Sequence, residues 1–557
     1  MFKKTALCLM LALSLPTWAD TTATPLPTAS HATADTLADD IMWHRLLMFN
    51  GKKTTMNDPT FFVTKTGATD PKAELVANLD ILLGNDDKKR QDFVCQFPAR
   101  SHWLGDKLGL DLPKCPEVES WLADKNVKKM SLVHAEEHIN RVGSSFAHTL
   151  IRLDTPESLQ GDKSKAYSLN FASLEHPAKG ENTLAHSVMG KSKAELTMEN
   201  YQEKSDKYLV RDGRDLWEYA IDLNQDEIDQ IMRHVWEVKN KTRYYSFLNN
   251  NCATEVLRFV DLVRADSQLW QTSGKITPPQ EATQVMSKAG ILTDKTFVPA
   301  QKTLAQFIIN HPNQAVNLIQ PSQNDPTQNG TKSHRVMVYG GHGDGDFGGV
   351  SVRGAYQDLL DRPKGKRDYL SVQIMGLDVR HDEHNDKTKL HEATLVDILA
   401  LNPIGSSYAG KSWGFHAKAK QATDITGESH LVLSTGGEYG FAYSFGKTRP
   451  NTGEMPNTVC YLTGMVDVEV GKLQKGGRIG TGIHTGCVHH LSDKWRVQAD
   501  AKLPYHHNGN QGYWQPTTHT AMQYDLSQNN AVRFGHAWQK NKNDTQNGWQ
   551  VAYLHYF

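Results

Sequence analysis

Beyond Arg335 the chain alternates apolar and polar residues one for one. In "WRVQADAKL" Trp495, Val497, Ala499, Ala501 and Leu503 alternate with Arg496, Gln498, Asp500 and Lys502. A period of two puts the first set on one face of a β-strand and the second on the other. "MVDVEV" repeats the pattern, with Val466, Val468 and Val470 against Asp467 and Glu469. About twelve such segments run to the end, separated by turn-forming stretches such as "RPKGK", "RPNTGE" and "KNKNDTQNG". A soluble β-sandwich and a closed barrel both accommodate this periodicity.

The earlier part of the chain has a different rhythm. "DTLADDIMWHRLLMFN" and "DPKAELVANLDILLG" carry helical spacing, whereas "MSLVHA" and "FAHTLIRLD" are short and strand-like. "LNQDEIDQIMRHVWEVKNK" predicts an amphipathic helix that starts near Asn224 or Asp226. The organisation expected from these patterns is an α+β unit over 35–266, a helical connecting segment over 267–319, a polar, Pro- and Gly-bearing linker over 320–334, and an all-β region over 335–557.

The first residues change where this chain is expected to work. Lys3 and Lys4 precede an apolar run from Ala6 to Leu15, and Thr17-Trp18-Ala19 precedes Asp20. This predicts a secretory signal over 1–19, removed with Cys8. About ten apolar residues fall short of the roughly twenty that a spanning helix needs. An exported chain that alternates strand by strand fits an even-stranded outer-membrane barrel, apolar outside and polar inside. "GWQVAYLHYF" places Trp549, Val551, Tyr553 and Phe557 on one face, interrupted by His555, and ends on an aromatic residue. It resembles the terminal strand of bacterial outer-membrane proteins, whose last Phe is part of the signal for barrel insertion. That resemblance implies the barrel assembly machinery as a partner.

Charge adds little: 61 basic residues stand against 62 acidic ones, and loss of Lys3 and Lys4 takes the formal net from −1 to −3. No nucleic-acid footprint is present in that balance. The cysteines add more. Cys95, Cys115, Cys252, Cys460 and Cys487 survive signal removal, an odd number in an oxidising compartment. Cys95 and Cys115 enclose a short segment that a disulfide can close. Cys460 and Cys487 flank the turn "GKLQKGG" almost symmetrically, so a simple hairpin sets them opposite one another. Cys252 is then left over.

A thiol nucleophile needs a base and often a third group that orients the base. Cys252 opens the helical pattern "CATEVLRFVDLV", where a helix N-terminus favours thiolate. Among 25 histidines, His148 stands at the start of an apolar strand and is flanked by small residues that leave room for a substrate.

"WHRLLMFN", "FFVTKTG", "ELVANLDILL", "CQFPARSHWL", "SSFAHTLIRL", "YSLNFAS", "RDLWEYAIDL" and "NNNCATEVLRFVDL", in this order from Trp43 to Asp266, resemble the bacterial periplasmic family named after the N-terminal domain of the lipoprotein N-acyltransferase Lnb. Many members of that family carry a carboxyl-terminal region like a β-barrel. The family in turn is similar to a permuted papain-like, NlpC-type fold in which histidine precedes cysteine, as in lecithin-retinol acyltransferase. The resemblance implies a permuted papain-like α+β domain followed by a transmembrane barrel of about twelve antiparallel strands. It carries the cysteine of the family's Asn-Cys motif onto Cys252 and the histidine of its Phe-Gly-His-Thr motif onto His148, with Ala147 where glycine is usual. Asn170 is the candidate third residue, with Glu175 and His176 as alternatives. The implied chemistry is acyl transfer or hydrolysis at the periplasmic face of the outer membrane, on acyl lipid or lipoprotein, without cofactor or metal. A peptidoglycan peptide amidase and an inert scaffold or pore gated by its periplasmic domain are the competing expectations.

Other signals carry less. "HAEEH" (His134 to His138) has the spacing of inverted zinc proteases but needs a helix where the pattern predicts a strand. "HDEHND" (His381 to Asp386) suits a solvated turn between strands, and "GGHGDGDFGG" (Gly340 to Gly349), with no helix after it, suits a strand connection better than a phosphate cradle. "MWHRLLMFN" suits a core helix better than a membrane-binding one.

Overall fold

The computed structural model describes residues 35–557 apart from 138–146, 174–189, 191, 275, 314–324, 329, 405–409, 449–454, 510 and 543. The expected export signal, His138, Glu175, His176 and part of the 320–334 linker lie outside the described residues.

The mixed half folds around one antiparallel sheet. Its strands are β1 (Lys129–Ala135), β2 (His148–Asp154), β3 (Tyr167–Ser173), β4 (Ser192–Asn200), β5 (Leu216–Ile221), β6 (Arg243–Tyr245) and β7 (Leu292–Val298). They lie in the order β6-β4-β3-β2-β1-β5-β7. β1 and β5 are buried along both faces, which is why they appear as near-continuous runs without alternation. Helix α1 (Gln225–Val238) begins where Asn224 accepts from the Glu227 backbone and the Glu227 carboxylate accepts from the Asn224 backbone. Ile228, Ile231, Met232, Val235 and Val238 form its buried stripe. Trp43 on the helix Ile41–Leu46 is fully buried in the same core, the place expected for "MWHRLLMFN". The Cys95–Cys115 disulfide forms, with Cα atoms 5.1 Å apart.

The 267–319 segment holds the expected helices, among them Pro279–Lys288 and Gln301–Asn310, and adds a strand that the helical expectation did not include. β7 pairs with β5 and completes the sheet, and the helix Pro279–Lys288 buries Ala282 and Met286 in the main core. "LTDKTFV" is an edge strand with four consecutive exposed residues. It has no apolar face for a periodicity to register.

The alternating half closes into a barrel. Its strands are β8 (Arg335–His342), β9 (Asp346–Gln357), β10 (Leu370–Asp382), β11 (Lys387–Ala400), β12 (Ser412–Thr423) and β13 (Ser429–Thr448). They continue as β14 (Pro456–Gly471), β15 (Gly477–His490), β16 (Trp495–His507), β17 (Thr517–Asp525), β18 (Asn530–Lys540) and β19 (Thr545–Tyr556). Each pairs antiparallel with the next, and β8 pairs with β19, so twelve strands leave no free edge. "GGHGDGDFGG" is the β8–β9 hairpin and "HDEHND" the β10–β11 turn. Cys460 faces Cys487 across β14 and β15, and the two form the second disulfide. No helix among the described residues is long and apolar enough to cross a membrane.

The outer face exposes Val352, Tyr439, Leu462, Val466, Val551 and Tyr553, an apolar surface of the kind that meets lipid. Inside, Lys418 pairs with Asp397 (2.8 Å), while Lys420 (2.9 Å) and Arg478 (2.6 Å) share Glu469, around a cavity of about 180 Å³. The interior is not polar throughout. Met337, Tyr339, Ala552, Leu554 and Tyr556 form an apolar patch on the inner wall of β8 and β19. Tyr339 and Tyr556 reach over it to donate to Asp378 (2.5 Å) and Asp361 (2.7 Å), so rings and carboxylates share one surface.

At the end that carries the N-terminal unit, residues 358–369 fold into the mouth. Arg335 and Arg533 hold Asp358 (2.5 and 2.9 Å), Arg353 holds Asp361 (2.6 Å), and Arg496 donates to the Leu360 carbonyl (2.6 Å). Arginines from β8, β9, β16 and β18 thus converge on one short segment and fill that end of the lumen.

Candidate active site

Helix α2 (Cys252–Asp261) starts at the thiol. Two of the three asparagines before it explain the start. Asn251 caps the helix, its Oδ1 accepting from the Ala253 and Thr254 backbones (2.9 and 3.1 Å), while its Nδ2 donates to the carbonyls of Phe247 (2.9 Å) and Thr277 (3.1 Å). Asn250 donates to the Tyr244 carbonyl and accepts from Arg258 (2.8 Å). Asn249 is exposed. The amphipathic body of the helix buries Val256, Leu257, Phe259 and Val260 and packs on β2.

β2 begins at His148, and the Ile151–Leu169 register between β2 and β3 puts His148 and Asn170 on the same face of the sheet. His148 Nε2 lies 2.6 Å from Asn170 Oδ1. An amide oxygen only accepts, so Nε2 carries the proton and Nδ1 presents a lone pair. The imidazole is half-buried and tilts against the Tyr208 ring, 6.3 Å between centroids. Cys252 is buried, and burial pushes its thiol up. The charge of His148, with the neighbouring Thr149 backbone, outweighs that and brings it down to about 7. Cys252, His148 and Asn170 therefore come together.

Two further groups at the thiol had no signal in the sequence. The Tyr245 phenol lies beside Cys252, and burial together with that neighbour's charge pushes it far up, so its hydroxyl keeps its proton. Arg214 is buried, donates to the Ala135 and Glu136 carbonyls and lies 4.9 Å from the centre of the Tyr208 ring.

The support beneath the site is ionic. Arg243, fully buried on β6, donates two bonds to the Glu255 carboxylate on α2 (2.9 and 2.7 Å) and lies over the Phe171 ring at 4.1 Å. Arg258 adds a third bond to Glu255 (3.0 Å). Ala147, where glycine is expected, has φ 64°. The left-handed conformation costs an alanine about 1 kcal/mol, so the backbone that presents His148 is kept at the expense of local strain.

The metal-like motifs resolve differently. His134 lies in β1 rather than on a helix, with its Nδ1 3.4 Å from the Thr283 hydroxyl, and burial next to Arg214 drives it down to about 3. Glu136 and Glu137 accept from the Trp217 indole (3.1 Å) and the Tyr356 hydroxyl (2.7 Å). Both glutamates serve packing. His381 bonds Thr388 (2.9 Å) beside the exposed β10–β11 turn.

Residues 117–289 match the family described as the Lnb N-terminal periplasmic domain. Residues 35–107 and 323–556 each match a domain of unknown function (DUF7843 and DUF7840). No curated protein matches the chain. Among solved structures, the NanC porin is similar at 8% identity over 40% of this chain and 99% of its own, with a TM-score of 0.26. The KdgM porin with disordered oligogalacturonate is similar at 7% identity over 40% and 99%, TM-score 0.25. An outer membrane channel from Pseudomonas putida F1 is similar at 10% identity over 41% and 96%, TM-score 0.27. The barrel is established by its own strand pairing.

Proposed function

Because this chain joins an Lnb N-terminal periplasmic domain to an outer-membrane β-barrel, we propose that it is a thiol-dependent acyltransferase or hydrolase acting on acyl lipid or lipoprotein at the periplasmic face of that membrane. The observation that carries this reading is the free Cys252 thiol at the start of α2, beside a histidine that Asn170 orients, and that histidine pulls the thiol down. The same order of elements, histidine strand before cysteine helix, supports a permuted papain-like arrangement.

In this reading His148 Nδ1 takes the thiol proton, and the thiolate adds to an ester or amide carbonyl. The oxyanion needs donors. Ala253 and Thr254 spend their backbone N–H groups on Asn251, so this reading assigns the oxyanion to the Cys252 N–H and the Tyr245 hydroxyl, which lie beside one another at the start of α2. His148 then protonates the leaving group, and water or an amine resolves the thioester.

Mass spectrometry of membrane-extracted wild type and Cys252→Ser tests the reading. A fatty-acyl adduct on residue 252 is expected, as a thioester in wild type and a longer-lived ester in the serine variant. A peptide-derived adduct would redirect the substrate to peptidoglycan, and an unmodified residue in both proteins after exposure to phospholipid and lipoprotein would contradict acyl chemistry.

A further inference from the structure

The barrel wall beneath the N-terminal unit has an unusual outer face. Lys418 points into the lumen, where it pairs with Asp397, so Phe415 and Ala417 on the same strand point outward. Phe415 pairs with Ile398 and Ala417 with Val396; these in turn pair with Val372 and Ile374. All four aliphatic residues therefore face outward, yet they are only 0–6% exposed. Further up the same wall, Val352, Leu377 and Leu395 are 38–47% exposed. The lower patch is covered by the N-terminal unit: Phe247 and Ile276 pack against it. Ile276 comes so close that a Cβ on Gly354 would lie 3.1 Å from its Cδ1.

Both covering residues lead directly to the nucleophile. The Asn251 amide that caps α2 donates to the carbonyl of Phe247 and to that of Thr277, which follows Ile276. Thr277 in turn donates to the Leu248 carbonyl (2.8 Å). The Phe247 ring meets Tyr245 edge-on at 5.7 Å, and Tyr245 lies near enough to Cys252 for the two to act electrostatically on one another. One amide side chain thus joins the start of the catalytic helix to the two segments pressed on the barrel.

We propose that the outer wall of the barrel is a working part of the thiol site, with Phe247 and Ile276 as positioning residues that hold the Asn251 cap, and through it Cys252, against Val372, Ile374, Val396 and Ile398. The barrel is then more than an anchor. The nucleophile is fixed at the rim of the apolar belt, where the wall meets the inner leaflet. The contact itself stands independently of the acyl-transfer reading; only its catalytic consequence rests on it.

The test uses the full-length protein in detergent micelles and compares Phe247→Ala and Ile398→Ala with Leu377→Ala on the exposed belt. Heat-dependent gel mobility establishes that each barrel is folded. Amide exchange of residues 251–255 is expected to quicken at least tenfold in the first two variants and to stay unchanged in the third. The midpoint of Cys252 alkylation against pH is expected to rise toward about 8.5, the value of a free thiol, lowering the rate at pH 7 about tenfold. Loose packing alone would not move that midpoint. Should Ile398→Ala fail to fold, Phe247→Leu and Ile398→Val are expected to shift both readouts the same way by less. Folded wall variants with wild-type exchange and midpoint overturn the proposal. If exchange responds while the wild-type midpoint already lies near 8.5, the wall contact stands and the activated-thiol reading fails.

Discussion

If the proposed acyl chemistry holds, Cys252→Ala in the full-length protein is expected to lower acyl-donor turnover by roughly 10⁴-fold, with the barrel still folded, because Cys252 is the free thiol among the described residues. His148→Ala should cost nearly as much. Without the imidazole, burial is the largest influence left on the thiol and pushes it up, so little thiolate forms at neutral pH. The double variant should be no worse than either single one, since nucleophile and base act as a unit. Asn170→Ala removes only the group that fixes the imidazole tautomer and should cost less than either. Steady-state turnover of a chromogenic acyl ester separates these outcomes. Wild-type turnover in all four variants would contradict the thiol mechanism, and no turnover in any protein, wild type included, would leave the scaffold reading.

Arg243→Met is expected to destabilise the N-terminal unit by about 3–5 kcal/mol. The guanidinium is fully buried and gives Glu255 two of its three hydrogen bonds. Its loss leaves the carboxylate buried with Arg258 alone. Arg243→Met combined with Glu255→Leu should recover most of that loss, because both desolvated charges leave together. Denaturant unfolding followed by tryptophan fluorescence reads the difference, since Trp43 and Trp217 are fully buried in this unit. A single variant within about 1 kcal/mol of wild type would show that Arg258 alone satisfies Glu255.

The barrel was legible because its signal repeats. The alternation from Trp495 to Leu503 places Val497 and Ala499 on one wall and Gln498 and Asp500 on the other, and the terminal strand does expose Trp549, Val551, Tyr553 and Phe557 on its outer face. The Cys460–Cys487 pair followed from the symmetry of its hairpin. The site was legible in part. Cys252 opens a helix and His148 opens a strand, both local properties, and Asn170 lies one strand away. Tyr245 and Arg214 were not legible, since tertiary packing alone brings them to the thiol. The edge strand "LTDKTFV" lacks a periodic face, and "DLLDRPKGKRDY" (358–369) has the composition of a solvated turn. Its charges are buried because four barrel arginines, far apart in sequence, converge on it.

The central claim is that His148 makes Cys252 a thiolate near neutral pH. Its most direct test is the pH dependence of Cys252 alkylation in the full-length protein, where the other four cysteines among the described residues are disulfide-bonded and silent. Wild type is expected to titrate with a midpoint of about 7, and His148→Ala with a midpoint above about 8.5, as for an unassisted buried thiol. A wild-type midpoint at or above about 8.5, unchanged by His148→Ala, would contradict it.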